Sequence, residues 1–294
     1  MFLLVKYTLV DFSPVEVAFL QAMIGGFGLF VIVNVQGGEA RAELGDVLRR
    51  PGRALLLGAL AIAAPFMLIS LGELTVPSGL AGVMASMAPM FIALFAPFLD
   101  ASMKINRRQG AGLVVGLLGV ALVVGVHLVG SLGQLLGALA LLSAAASGAL
   151  SSFVVKLWYR DKGIPASTTS FFALGVASLL TLPVAAITAS RELPGTRAVL
   201  AVILLGLGCT ALAYMLYYRL IDRIGGERAA LANYLTPAFA LLYGVLLLGE
   251  TFTIWAVIGL VLIMVGAEIV LRGTGNRRSG DGSRTRYRAH PPFH

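Results

Sequence analysis

The second half of this 294-residue chain repeats the first, and both halves are built from long apolar stretches. Shifted by 148 residues, Leu56-Leu57-Gly58 falls on Leu204-Leu205-Gly206, Met67-Leu68 on Met215-Leu216, Pro89 on Pro237 and Phe91 on Phe239. Apolar stretches of about 20 residues are long enough to cross a bilayer as helices. The pattern predicts such spans near 14–35, 54–74, 77–98, 109–127, 133–157, 168–189, 197–218, 228–248 and 251–271. Strands of a membrane barrel would alternate in polarity over about 10 residues, and these runs do not. The chain therefore reads as an all-α polytopic membrane protein.

Composition agrees. Hydrophobic residues make up 58% and charged residues 12%, with mean hydropathy +0.91. A soluble chain carries roughly 25% charged residues. The net charge of +8 does not mark a nucleic-acid face, because the basic residues sit in loops and a tail. Cys209 is the only cysteine, so no intramolecular disulfide can form.

The repeat also explains a short apolar stub at residues 1–10. Phe2-Leu3-Leu4-Val5-Lys6 followed by Pro14 resembles Phe153-Val154-Val155-Lys156 followed by Pro165, where a full span comes to its end. The stub is thus expected to be the last part of a first helix whose beginning is absent. This gives ten helices in two five-helix repeats, the first helix truncated. The first repeat covers 1–128 and the second 129–271, and a disordered basic tail follows at 272–294. An odd number of spans per repeat places the two copies upside down relative to each other, and inverted repeats of this kind are the architecture of secondary transporters.

Basic residues orient the chain. Arg41, Arg49, Arg50, Arg53, Lys104, Arg107, Arg108, Lys156, Arg160, Lys162, Arg219, Arg223, Arg228 and six tail arginines fall on one side. Only Lys6, Arg191 and Arg197 fall on the other. Cytoplasmic loops carry the excess of Lys and Arg. Both ends of the ten-helix protein are therefore expected in the cytoplasm, with the chain in the plasma membrane. The tail arginines are a candidate contact for anionic lipid.

Enzymatic parts are missing from the sequence. His127 stands at a span end, and His290 and His294 in the tail. No HExxH occurs, one cysteine cannot build a metal site, and no Walker-type glycine loop is present. No enzyme, metal or cofactor is expected.

Acids within spans are functional suspects because they are costly there. Glu16, Glu73 and Glu250 fall near the outer interface, and no carboxylate falls at the midplane. That favours uncoupled or weakly coupled movement over proton antiport. Lys6 is expected to snorkel, to pair with Glu16, or to meet an anionic group of a solute. The midplane carries prolines, aromatics and small polar groups. Pro65, Pro89 and Pro237 each free a backbone carbonyl, and Pro89 and Pro237 are repeat-equivalent. Around them lie Asn233, Tyr234, Ser86, Tyr214, Phe66 and the lone amide Gln21, the candidate solute-binding residues. Ser143, Ser147 and Ser151 recur every four residues and suit close helix packing. Gly112 to Gly116 is a GxxxG, a signal for helix contact or for a homodimer.

Several of these residues fall into one family pattern. Gly225-Gly226-Glu227-Arg228-Ala229-Ala230, then Tyr234-Leu235-Thr236-Pro237, Leu248-Gly249-Glu250, Gly259 and Gly266 resemble EamA-type transporters of the drug/metabolite transporter superfamily. The first half echoes this in Ser78-Gly79-Leu80-Ala81, Ala88-Pro89, Gly112 and Gly119. The resemblance reaches to about Leu271. It implies ten helices in two inverted repeats that move small metabolites, amino-acid-like or drug-like solutes, often outward. The chain departs from the family at Ser102-Met103, where an acid is common, and at Gln21, where a base is common. The expectation is a permease working by alternating access, with efflux first. The alternatives are uptake, flipping of a lipid-linked intermediate, or a non-transporting scaffold or degenerate paralogue.

Overall fold

The computed structural model describes residues 1–35, 50–99, 105–127, 132–158, 166–189, 192–224, 232, 235–251 and 253–281. Ten helices lie among them. They are α1 (Phe2–Thr8), α2 (Pro14–Val35), α3 (Pro51–Glu73), α4 (Ser78–Leu99), α5 (Arg107–His127), α6 (Leu132–Trp158), α7 (Ala166–Thr188), α8, α9 (Leu235–Leu248) and α10 (Ile254–Asp281). Helix α8 runs as three consecutive segments, Thr196–Gly206, Leu207–Leu212 and Ala213–Ile224. No strand occurs among the described residues. Six helices are long and apolar enough to cross a membrane by length and composition, namely α2, α3, α4, α6, α7 and α8. Helix α9 and the Ile254–Val270 part of α10 are shorter and apolar. The molecule is an all-α polytopic membrane protein.

Many of the interhelical contacts are made by small side chains, beside buried larger ones such as Leu57, Leu141 and Ile263. Alanines such as Ala18, Ala22, Ala81, Ala138, Ala144, Ala149, Ala173, Ala177 and Ala256 are buried, while Phe27, Phe98, Leu179 and Ile187 point outward. In lipid there is no water to drive large apolar groups inward, so small residues that let backbones approach form the contacts. Helices α5 and α10 show this most directly. A Cβ on Gly119 would lie 2.7 Å from the Gly259 carbonyl oxygen, and one on Gly259 would lie 2.7 Å from that of Gly119. Gly112 and Gly266 stand in the same relation at 2.7 and 2.6 Å. The Gly112–Gly116 motif thus serves a contact inside the chain.

The main packing partners form a regular scheme. Helix α2 pairs with α7, α4 with α9 and α5 with α10, while α3 packs on α6 and α7 just as α8 packs on α1 and α2. Exchanging each helix for the one five places on leaves these pairings unchanged, while α4 packs far more extensively on α6 than its counterpart α9 does on α1.

Two helices carry a π-helical turn at repeat-equivalent places, Ala59–Ala63 in α3 and Leu207–Leu212 in α8. In α3 the turn precedes Pro65, whose missing N–H cannot bond the carbonyl one turn earlier. The equivalent position in α8 is Ala213, so another cause must act there. The Thr210 hydroxyl donates to the Leu205 carbonyl at 3.1 Å and competes with the backbone ladder.

Helix α4 breaks at Ser86-Met87 and restarts at Ala88, which puts Pro89 in a first turn where it is tolerated. Pro237 is buried in α9. Helix α10 continues to Asp281, so helical order covers Gly273–Asp281, which composition assigns to the tail. Elongating an existing helix adds one bond per residue fixed and needs no new nucleus.

Candidate functional site

Among the described residues, hydrogen bonds tie together the helix ends beside the α1–α2, α3–α4, α7–α8 and α9–α10 connections and the start of α6, at one end of the bundle. Asp11 Oδ2 accepts from the Gly195 N–H at 2.8 Å. Ser13 Oγ lies 3.2 Å from Thr188 Oγ1. The Thr75 hydroxyl donates to the Gly133 carbonyl at 3.0 Å. Glu250 reaches from the α9–α10 turn to the start of α4. Its Oε1 accepts from the Ser78 N–H at 2.8 Å and the Ser78 hydroxyl at 3.1 Å, and its Oε2 from the Gly79 N–H at 3.1 Å. The first N–H groups of a helix have no partner within it, and a carboxylate there also meets the positive end of the helix dipole. Gly249, at φ 65°, supplies the left-handed turn that ends α9 and delivers Glu250. These bonds join segments far apart in sequence, and all four pairs cross from one half to the other.

The four charged candidates divide. Glu16 forms a capping box, with Oε2 accepting from the Ser13 N–H at 2.7 Å and its own N–H donating to Ser13 Oγ at 3.3 Å. Lys6 does not pair with Glu16. Its ammonium donates to the Glu73 backbone carbonyl at 2.6 Å. Glu250 is the α4 cap. Glu73 is the exception: it is fully buried, and neither carboxylate oxygen has a hydrogen-bond partner among the described residues. The sequence places Glu73 at an interface; the structure encloses it. Ser70, one turn earlier on α3, is also fully buried with its hydroxyl unpartnered.

Gln21 is buried, and its amide donates to Thr210 Oγ1 at 3.2 Å, linking α2 to the π turn of α8. Ser147 performs the matching service for the other π turn, donating to the Leu60 carbonyl at 2.8 Å. Phe66 and Tyr214 share a cluster with Ala18 and Ala22, the neighbours of Gln21 on α2. Ser86 and Pro89 are half-buried beside Met87 and Met90, in the second cluster, where Gly82 of α4 meets Ala240 of α9. The Ser86 hydroxyl donates to the Val83 carbonyl at 2.6 Å. Asn233 and Tyr234 lie outside the described residues. The candidates thus form two groups, Gln21 with Phe66 and Tyr214, and Ser86 with Pro89 and Pro237. Helix α3 touches both clusters, through Phe66 and Ile69.

The sequence carries no signal for Thr210, Ser70 and Asp11, and shows Ser78 only within the family pattern Ser78-Gly79-Leu80-Ala81. The Ser-x-x-Glu signature at Ser13 and Glu16 is legible there. The other three pairings join distant segments and leave no local signal. At the opposite end of the bundle, the Arg53 guanidinium stacks 5.1 Å above the Trp158 ring. Among the described residues no group of three or more His, Cys, Asp or Glu is placed to hold a metal ion.

A polytopic helical bundle with paired kinks and one end tied across its halves has the build of a membrane transporter. The chain belongs to the EamA-like transporter family, whose model matches residues 1–125 and 135–272. It is 25% identical over 272 residues to an uncharacterised transporter of Archaeoglobus fulgidus, covering 92% of this chain and 93% of that one. It is 28% identical over 225 residues to a probable terminal-alkyne amino-acid exporter of Streptantibioticus cattleyicolor, covering 76% and 74%. A solved crystal structure shares the fold at TM-score 0.63 and 21% identity, covering 95% of this chain and 96% of that one.

Proposed function

We propose that this protein is a secondary transporter of the inner membrane that exports a small amino-acid-like or drug-like solute by alternating access. The observation that carries the reading is the tied end of the bundle. Polar bonds there cross from one half to the other at Glu250, Asp11 and Ser13. Such bonds close a gate, and breaking them opens it. The positive-inside bias puts that gate on the extracellular side, with both termini of the ten-helix protein in the cytoplasm.

In this reading the halves are inverted repeats, a view supported by the helix pairings that survive exchange of helices five places apart. The π turns at Ala59–Ala63 and Leu207–Leu212 are the yielding points, because a π turn leaves the ladder locally imperfect and often marks a functional site. Phe66, Tyr214, Gln21, Ser86, Asn233 and Tyr234 supply apolar and polar contacts to the solute. The amino-acid-like substrate class is supported by the likeness to the probable terminal-alkyne amino-acid exporter of Streptantibioticus cattleyicolor.

The test is release of a preloaded mixture of radiolabelled amino acids from proteoliposomes. Release of at least one solute faster than from protein-free vesicles is expected. Rates matching protein-free vesicles for every solute would sink the reading.

A further inference from the structure

We propose that Glu73, with Ser70 one turn before it, is a proton-binding site that makes transport by this chain proton-coupled, with Lys6 as the alternative partner of its carboxylate. The coupling role rests on the transporter reading above; the proton site does not.

Elimination and enclosure carry the argument. Four of the carboxylates placed above fall at the tied end, Asp11, Glu16, Glu73 and Glu250. Asp11, Glu16 and Glu250 have backbone donors on their oxygens. Glu73 has none, and it is wholly enclosed. A buried carboxylate without donors must find a cation or a proton, because an isolated charge in a dry site is costly. Ser70 is the second unpartnered polar group on the same face, one helical turn away. A proton on Glu73 turns an acceptor into an O–H donor, for which the Ser70 hydroxyl oxygen is a ready acceptor. A proton also needs no volume, which suits a side chain with no exposed surface.

The surrounding charges define the second state. Lys6 and Glu250 are the charged side chains whose fields reach Glu73. Lys6 already holds the backbone carbonyl of Glu73 itself, so rotation of its side chain brings the ammonium to the carboxylate. The site therefore alternates between a neutral carboxyl beside Ser70 and an ion pair with Lys6. A proton from water converts carboxylate to carboxyl, and its return to water regenerates the carboxylate; no other bond changes. Since Lys6 sits on α1 and Glu73 at the end of α3, the exchange loosens or tightens one corner of the tied end.

Two measurements test this on the reconstituted chain. Infrared difference spectra across a pH series should show a protonated-carboxyl C=O band that is lost in Glu73→Gln, kept in Glu16→Gln and displaced in Ser70→Ala. The pH at which it appears should move in Lys6→Met. All variants are first checked for a single elution peak in detergent. Flux of the radiolabelled amino-acid mixture should respond to an imposed pH gradient, and the ratio of rates with and without the gradient should fall to one in Glu73→Gln. A band unchanged by Glu73→Gln, wild-type flux indifferent to the pH gradient, or flux that follows a sodium gradient at fixed pH would each overturn the proposal. A Glu73-dependent band with no wild-type flux would support the proton site while removing the transporter reading.

Discussion

At the scale of single residues, Glu250 and Gly249 show how a turn can hold two halves together. Glu250 accepts three bonds at the start of α4. In Glu250→Ala those donors lose their acceptor, and a loss of about 1–2 kcal/mol is expected, read as lower thermal stability in detergent. Gly249→Ala forces a Cβ into left-handed backbone at φ 65° and should cost about 1–2 kcal/mol in the same assay. Gln21 and Thr210 form a coupled pair in the α2–α8 seam. Thr210→Val leaves the buried amide without its acceptor, at a cost of about 1–3 kcal/mol. Adding Gln21→Leu should recover part of that loss, because the two changes share one bond and are not additive. Equal, independent losses in the double variant would show that the bond contributes nothing.

At the scale of helices, the α5–α10 seam depends on absent side chains. Gly119 and Gly259 bring each helix against the other's backbone carbonyl. Gly119→Leu therefore meets backbone rather than a yielding side chain, and we expect loss of the single elution peak in detergent. Gly148→Ala and Gly175→Ala have nothing within 4 Å of the new Cβ and should elute as wild type. The π turns belong to this scale as well. Pro65 accounts for one of them, but the other depends on Thr210, which no proline rule would identify.

At the scale of the whole molecule, the tied end predicts a blockable gate. Ser13 Oγ and Thr188 Oγ1 stand 3.2 Å apart, on connections from opposite halves. A Ser13→Cys, Thr188→Cys pair in a Cys209→Ala background should cross-link on oxidation and stop solute release, and reduction should restore it. Unchanged release from the oxidised protein would place the moving gate elsewhere. The all-α membrane class and the weak place before Pro65 were legible in the sequence, because bilayer thickness and proline chemistry act locally, whereas the π turn at Leu207–Leu212 was not. Sequence also marked Glu16, Glu73 and Glu250 as a set of acids near the ends of spans. What separated them was tertiary. Two meet backbone N–H groups, one of these contributed by a helix over 170 residues away in the chain, while Glu73 meets none. Hydrogen-bond partners and enclosure come from distant segments, so only the packed bundle could decide which acid caps a helix and which is enclosed without a partner among the described residues.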